Sequence, residues 1–372
     1  MKKQLALIFA LGLLMSGCST ADRQEVAAVT SVEETTVLEI SETTTTITTA
    51  SENTETTTKV TTGSENTETE LTETTTKNTA VVTSKNKVTI GGRDYDLEPK
   101  YLSLYSHDLT ADDADAFSQL TYVRSFELNG LTDDNLENVS KALSGIKDYS
   151  EIYFQLRDAE VSDLSFLTEL PNLKKLQIIP FCHIDDYSAL GNISALEELT
   201  LEYPGIGDVS QLDGLKNTNL KNLWLSHSSI SDISFISSLK NLEILHISYT
   251  DVEDISPLSS LTNLKNLYFY GNVKDISPIA GLTGLERLHF DYYNSDCIDT
   301  LSKLPSLKRL GVNVMEDDDI SSLGSLSGIE YLEIQYGFDL KKDDMDSLEK
   351  ALPNCDIHYI YNKWLEYELE HK

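Results

Sequence analysis

Basic residues are scarce in this chain: 29 Lys+Arg stand against 61 Asp+Glu over 372 residues, a formal charge of -32. Such a surface repels phosphate backbones, which excludes nucleic acid as a partner. Cysteine is scarcer still, and four in the whole chain cannot build the disulfide framework of a small secreted scaffold. No G-x-S-x-G, P-loop, H-E-x-x-H or C-x-x-C pattern occurs. The chain therefore reads as a non-enzyme with no cofactor and no assigned metal site. Asp317-Asp318-Asp319 lacks the spacing and glycine of a calcium loop and reads as a solvated turn. The apolar run at residues 5–14 is about ten residues long, too short for a helix across a ~30 Å bilayer.

What is present divides by charge. Residues 1–17 carry only Lys2 and Lys3, giving +2, while residues 18–88 hold five basic and twelve acidic groups, giving -7. The remaining 284 residues carry -27. A basic start followed by a short apolar run is a signal peptide. That run leads into Met15-Ser16-Gly17-Cys18, which resembles the bacterial lipoprotein signal, with Met15 where that motif usually has Leu. The resemblance implies removal of residues 1–17 and a lipid on Cys18. The mature chain is then expected outside the cell membrane, lipid-anchored and exposed at the bacterial surface.

Residues 18–87 are expected to form a disordered tether. There are 24 Thr in residues 19–88 and no aromatic residue, and Ser51-Glu52-Asn53-Thr54-Glu55-Thr56 recurs as Ser64-Glu65-Asn66-Thr67-Glu68-Thr69. With so little apolar area to bury, ordering entropy is not offset. A coil of this length spans roughly 45–50 Å on average. Its threonines also suit O-glycosylation, as in mucin-like stalks, although a plain spacer is the reading adopted.

Length alone suggests two or three domains, but beyond residue 88 one short unit recurs. Leu242-Glu243-Ile244-Leu245-His246-Ile247, Leu264-Lys265-Asn266-Leu267-Tyr268-Phe269 and Leu285-Glu286-Arg287-Leu288-His289-Phe290 are three copies. An apolar anchor repeats at Leu102, Phe126, Ile152, Leu176, Leu199, Leu223, Leu245, Leu267, Leu288, Leu310, Leu332 and Cys355, every 21–26 residues. A constant period of this length marks a solenoid.

The L-x-x-L-x-L unit resembles the leucine-rich repeat, and residues 245–258 resemble the 22-residue units of bacterial internalin-type proteins. The resemblance implies an α/β solenoid over residues 88–362. Its parallel strands would line a concave face, with short 3₁₀ or irregular segments on the convex side and helical units near both ends. A tail, 363–372, follows. The family's asparagine after the strand stands only at Asn272, with Pro204, Ser228, Thr250, Tyr293 or Met315 elsewhere, so the ladder of buried polar side chains is incomplete. Asp163, Asp208, Asp232, Asp254 and Asp275 precede Ser in the crossovers and read as turn formers, with the Ser as N-cap. Segments 109–117, 131–137 and 343–352 read as helices, and Gly91-Gly92 as a hairpin turn that helps to cap the solenoid. Cys182, Cys297 and Cys355 fall on rungs too far apart for disulfides and are expected to be free, with Cys355 in the core.

The concave face carries the functional signal. Directly after successive anchors come Thr200, Trp224, His246, Tyr268 and His289, and further along the same units stand Tyr203, His227, Tyr249, Tyr270 and Tyr292, those four past the anchor reaching towards the rim, edged by Glu202 and Asp291. Tyr and Trp bury much area at low entropy cost and are enriched in binding hot spots. The expected site is therefore a protein-binding strip of Tyr203, Trp224, His227, His246, Tyr249, Tyr268, Tyr270, His289, Asp291 and Tyr292, on a monomeric ectodomain with an unknown protein ligand. Ordinary cross-strand packing explains part of such a column. Glycan capture through Trp224 and Tyr268 is the alternative, and a hydrolase using His246, His289 and Asp291 a distant one. The histidines also admit a metal site, which is not the reading adopted.

Overall fold

The computed structural model describes residues 58–60, 69–71 and 87–361, apart from 124, 147–151, 171–172, 207, 272, 316–317, 337 and 339. The signal peptide, Cys18, most of the tether, Asn272, Asp317 and the tail lie outside the described residues. The chain divides into two compact units, Met1–Ala80 and Val81–Lys372. In the first, β1 (Thr58–Val60) pairs antiparallel with β2 (Thr69–Leu71). Both strands lie within residues 18–87, the expected tether, and Thr and Val favour strands.

The second unit opens with a hairpin of β3 (Lys87–Ile90) and β4 (Arg93–Asp96). Gly91 and Gly92 turn it at φ +55° and +74°, a left-handed geometry that glycine adopts without cost from a Cβ. The hairpin buries Val88 and Ile90. Twelve strands then form one parallel sheet in chain order. They are β5 (Tyr101–Tyr105), β6 (Ser125–Asn129), β7 (Ile152–Arg157), β9 (Leu173–Ile178), β11 (Glu198–Glu202), β12 (Asn222–Ser226), β13 (Ile244–Thr250), β14 (Asn266–Gly271), β15 (Arg287–Phe290), β16 (Arg309–Asn313), β17 (Tyr331–Tyr336) and β18 (Asp356–Tyr361). Between them, β8 (Glu160–Asp163) and β10 (His183–Asp186) make a separate parallel pair. Sequential parallel rungs of this kind are a solenoid, as the repeat period implies.

The register corrects two anchors. Phe126 pairs with Phe154, which pairs with Leu176, and Leu332 pairs with Ile357. Phe154 and Ile357 therefore hold the positions expected for Ile152 and Cys355. Side chains alternate with period two, so a slip of two residues preserves the inside-outside pattern, and hydropathy cannot detect it. Cys355 is partly exposed just before β18, not in the core, and all three described cysteines are free. The anchors from Leu102 to Leu332 and the apolar residue two positions on, such as Leu223 with Leu225 and Leu245 with Ile247, form the core, and the half-buried Ile357 and Tyr359 pack against its end.

The turns obey the predicted chemistry with one change of role. The Asp carboxylate caps, and the serine amide two residues on donates to it: Ser165 to Asp163 at 2.6 Å, Ser210 to Asp208 at 2.9 Å, Ser234 to Asp232 at 2.7 Å, Ser256 to Asp254 at 2.7 Å and Ser277 to Asp275 at 2.8 Å. Asp186 and Asp319 do the same for Ser188 and Ser321. Pro257 and Pro278 begin their 3₁₀ turns, where no donor is needed. Helices α1 (Asp113–Gln119), α2 (Asp133–Leu143, with a Thr132–Asn135 capping box) and α4 (Lys342–Ala351) fall where expected, whereas the short α3 (Cys297–Leu301) has no counterpart in the sequence reading. Where the asparagine is missing, Tyr293 meets the Ser322 hydroxyl at 2.5 Å, while the buried Ser228 hydroxyl has no partner among the described residues.

A charge ladder fixes the rungs from outside. Two positions before each anchor stand Lys174, Glu197, Lys221, Glu243, Lys265, Glu286, Lys308 and Glu330, alternating in sign over eight rungs. Ion pairs link Lys174 and Lys221 to Glu197 (3.3 and 2.8 Å), Lys265 to Glu243 (2.6 Å) and Lys308 to Glu330 (2.8 Å). Each exposed pair contributes only a few tenths of a kcal/mol, about 0.2–1. A one-rung misalignment would set like charges side by side, so the ladder specifies register more than it stabilises.

Candidate functional site

Along each strand the residue after the anchor points away from the core. The register puts Thr200, Trp224, His246, Tyr268 and His289 side by side, then continues through Gly311, Glu333 and His358. The rings stack across the rungs: Trp224 on His246 at 4.6 Å and 14°, His246 on Tyr268 at 5.6 Å and 20°. Tyr270, three positions past its anchor, leans over His246 at 5.6 Å and His289 at 4.8 Å. This floor is well packed, and both His246 and His289 are 5% exposed.

Burial has a chemical consequence. It pushes the His246 pKa down to about 3, with the nearby His289 and His227 lowering it further. Burial likewise lowers His289 to about 4, against a hydrogen bond with Asn313 that holds it up. Both imidazoles are neutral and enclosed near pH 7, unsuited to general-base work in solution. Asp291 accepts from the Gly271 amide at 2.9 Å and from the Asn313 side chain, a role in holding the sheet rather than edging a binding strip. The His289 ring lies over Gly311, where an added Cβ would sit 2.3 Å from Nδ1. Gly311 is thus required by the ring next to it.

Tyr203, His227, Tyr249 and Tyr292 do not share the floor. They stand four positions past the anchor, at φ +53°, +54°, +52° and +56°. Left-handed backbone costs a residue with a Cβ about 1–2 kcal/mol, and strain of this kind concentrates at functional sites. Tyr203 stacks on His227 at 4.4 Å and 3°, and His227 on Tyr249 at 4.6 Å and 8°. Tyr203 is 41% and Tyr249 42% exposed. The rung of Gly271 separates Tyr292 from this rim stack. The single strip read from the sequence is therefore two stacks, one buried on the floor and one exposed at the rim.

Sequence reasoning missed the flanks. On the Tyr101 side, Glu127 accepts from the Tyr101 hydroxyl (2.6 Å), Ser103 (3.1 Å), Asn129 (3.0 Å) and Arg157 (3.2 Å). On the His358 side, the Arg309 guanidinium lies 4.1 Å over Tyr331, which stacks on His358 at 4.9 Å. His358 was hidden by the misplaced anchor at Cys355. Glu333, 3% exposed, accepts from Gln335 at 2.8 Å and Tyr331 at 3.3 Å. Among the described residues no group of three His, Cys, Asp or Glu is placed to hold a metal ion, and no helix is long and apolar enough to cross a membrane.

The leucine-rich repeat region family matches residues 178–366. The chain belongs to that family, whose repeats form modules for protein interaction. Among solved structures it is similar to an internalin (inlF) of Listeria monocytogenes, at 19% identity and TM-score 0.46, over 72% of this chain and 89% of that one. It is also similar to internalin C2 of the same organism, at 22% identity and TM-score 0.37, over 68% and 92%. A leucine-rich-repeat protein of Leptospira interrogans matches at 13% identity and TM-score 0.35, over 64% and 91%. No curated protein matches the chain.

Proposed function

We propose that the repeat unit binds a protein ligand across the rim stack and the adjoining floor, and that a lipid on Cys18 with the tether of residues 18–87 presents it at a bacterial surface. The observation that carries the binding reading is the rim stack. Three consecutive rungs hold bulky rings in a strained left-handed backbone, stacked and more than 40% exposed at Tyr203 and Tyr249. Rings fixed in this way lose little entropy on binding. Sugar capture asks for open ring faces, but His227 and His246 each have a ring on both sides. The anchoring reading rests on the sequence of residues 1–18 alone.

The test sets a protein pull-down beside a glycan array, with the full chain and its Trp224→Ala variant. A protein retained by the wild type and lost by Trp224→Ala supports the reading. Retention of a glycan instead moves the function to the alternative, and no ligand sensitive to Trp224 removes both. Metabolic labelling with a fatty-acid analogue, abolished by Cys18→Ser, checks the anchor.

A further inference from the structure

Glu202 is the odd carboxylate of the strip. It ends β11, points to the same face as Glu198 and Thr200, and is half-buried. Glu198 is satisfied by Lys175 at 2.9 Å, and Glu127 by four donors. No hydrogen bond or ion pair within the described residues reaches the Glu202 carboxylate. Arg157 acts on it only through its charge, and its Nε donates to Glu127 at 3.2 Å. Burial raises the Glu202 pKa, the mark of an ion that has lost water without gaining a partner.

Its surroundings are aromatic. Glu202 pairs in register with Ser226, and Trp224 lies two residues before Ser226 on that neighbouring strand, diagonal to Glu202 on the same face. Tyr203 follows directly, and the Glu202 charge acts on its hydroxyl and on that of Tyr153. Trp224 and Tyr203 are also the first rings of the floor and rim stacks, each with one face against its neighbouring ring. A desolvated carboxylate beside aromatic neighbours is a receptor for a cation: the carboxylate supplies charge and hydrogen-bond acceptors, the rings supply cation–π attraction. Guanidinium suits it best, being planar, weakly hydrated and able to bond a carboxylate through two N–H groups. A chain of charge -32 also draws basic surfaces towards it.

We propose that Glu202, flanked by Tyr203 and Trp224, anchors an arginine side chain of the protein ligand. The proposal rests on the protein-binding reading and names the partner's chemistry at one point of that surface. An unpartnered, half-buried carboxylate destabilises the free protein and is stabilised when an arginine docks.

The test uses the full chain, a capped tetra-arginine peptide and its neutral tetracitrulline isostere, with calorimetric affinities and melting temperatures. The wild type should prefer tetra-arginine, and Glu202→Gln should weaken that binding by about tenfold or more. Glu198→Gln, the same charge change on the same strand, should alter it by less than about twofold. Glu202→Gln should also raise the melting temperature of the free chain, which a structural carboxylate would not do. Equal losses from the two variants would show diffuse attraction and overturn the proposal. So would a lower melting temperature with arginine binding intact. Loss of the pulled-down protein from Trp224→Ala but not from Glu202→Gln would leave the binding reading standing and remove the arginine site alone.

Discussion

The floor and rim stacks use the same residue types at the same repeat, and they are opposite in character. On the floor, Trp224, His246 and Tyr268 sit in ordinary strand geometry, and the central imidazole is sealed from water. At the rim, Tyr203, His227 and Tyr249 hold a backbone that glycine would adopt more cheaply, and two of the three rings stay exposed. A column of aromatic residues in a repeat therefore says nothing about its role until the position within the unit is known. Exposure and backbone strain separate the enclosed floor stack from the rim stack, to which the proposal gives the larger part of recognition.

Acid should break the floor first. The folded pKa values of His246 and His289 are depressed to about 3 and about 4, so the unfolded chain takes up protons that the folded chain refuses. Stability is complete above the unfolded pKa of ~6.5 and falls as the pH drops from there towards 4. The loss reaches several kcal/mol, because each tenfold difference in proton affinity between the two states is worth ~1.4 kcal/mol. Imidazole NMR titration should find both rings neutral at pH 5, and denaturant melts at pH 7 and 4.5 should show the loss. A protonated His246 in the folded chain at pH 6 would contradict the buried floor. A smaller effect is expected from Gly311→Ala, whose methyl meets the His289 ring; overpacking of this kind costs about 1–3 kcal/mol, read as a lower denaturation midpoint. Lys265→Glu should cost least, about 0.2–1 kcal/mol, by placing like charges beside Glu243 and Glu286, and the cost should shrink in high salt.

Much of this was legible in the sequence. The period gave the solenoid, Asp-x-Ser gave the 3₁₀ turns, and Gly91-Gly92 gave the hairpin. The two misplaced anchors had a common cause: Ile152 and Phe154, like Cys355 and Ile357, are apolar residues two apart, and only inter-strand register tells them apart. The alternating Lys–Glu ladder could have been read once the anchors were aligned. The split of the aromatic strip could be read only in part, from the position four past the anchor. Both stacks recur with the repeat, and the sign of φ at Tyr203, His227 and Tyr249 is set by how the chain leaves each strand. The unsatisfied state of Glu202 was equally hidden, since it depends on which donors from neighbouring rungs reach its carboxylate.

The rim can be tested without disturbing the floor. Tyr249→Gly removes an exposed ring, worth about 0.5–1.5 kcal/mol of stacking, and relieves a left-handed backbone costing about as much, 1–2 kcal/mol. Folding stability should then stay within about 1 kcal/mol of the wild type. The direct measurement is the affinity of this variant, in the full chain, for the protein retained by the wild type. An intact fold with binding weakened by about tenfold or more is the expected result. Unchanged binding by a folded Tyr249→Gly chain would contradict the assignment of recognition to the rim.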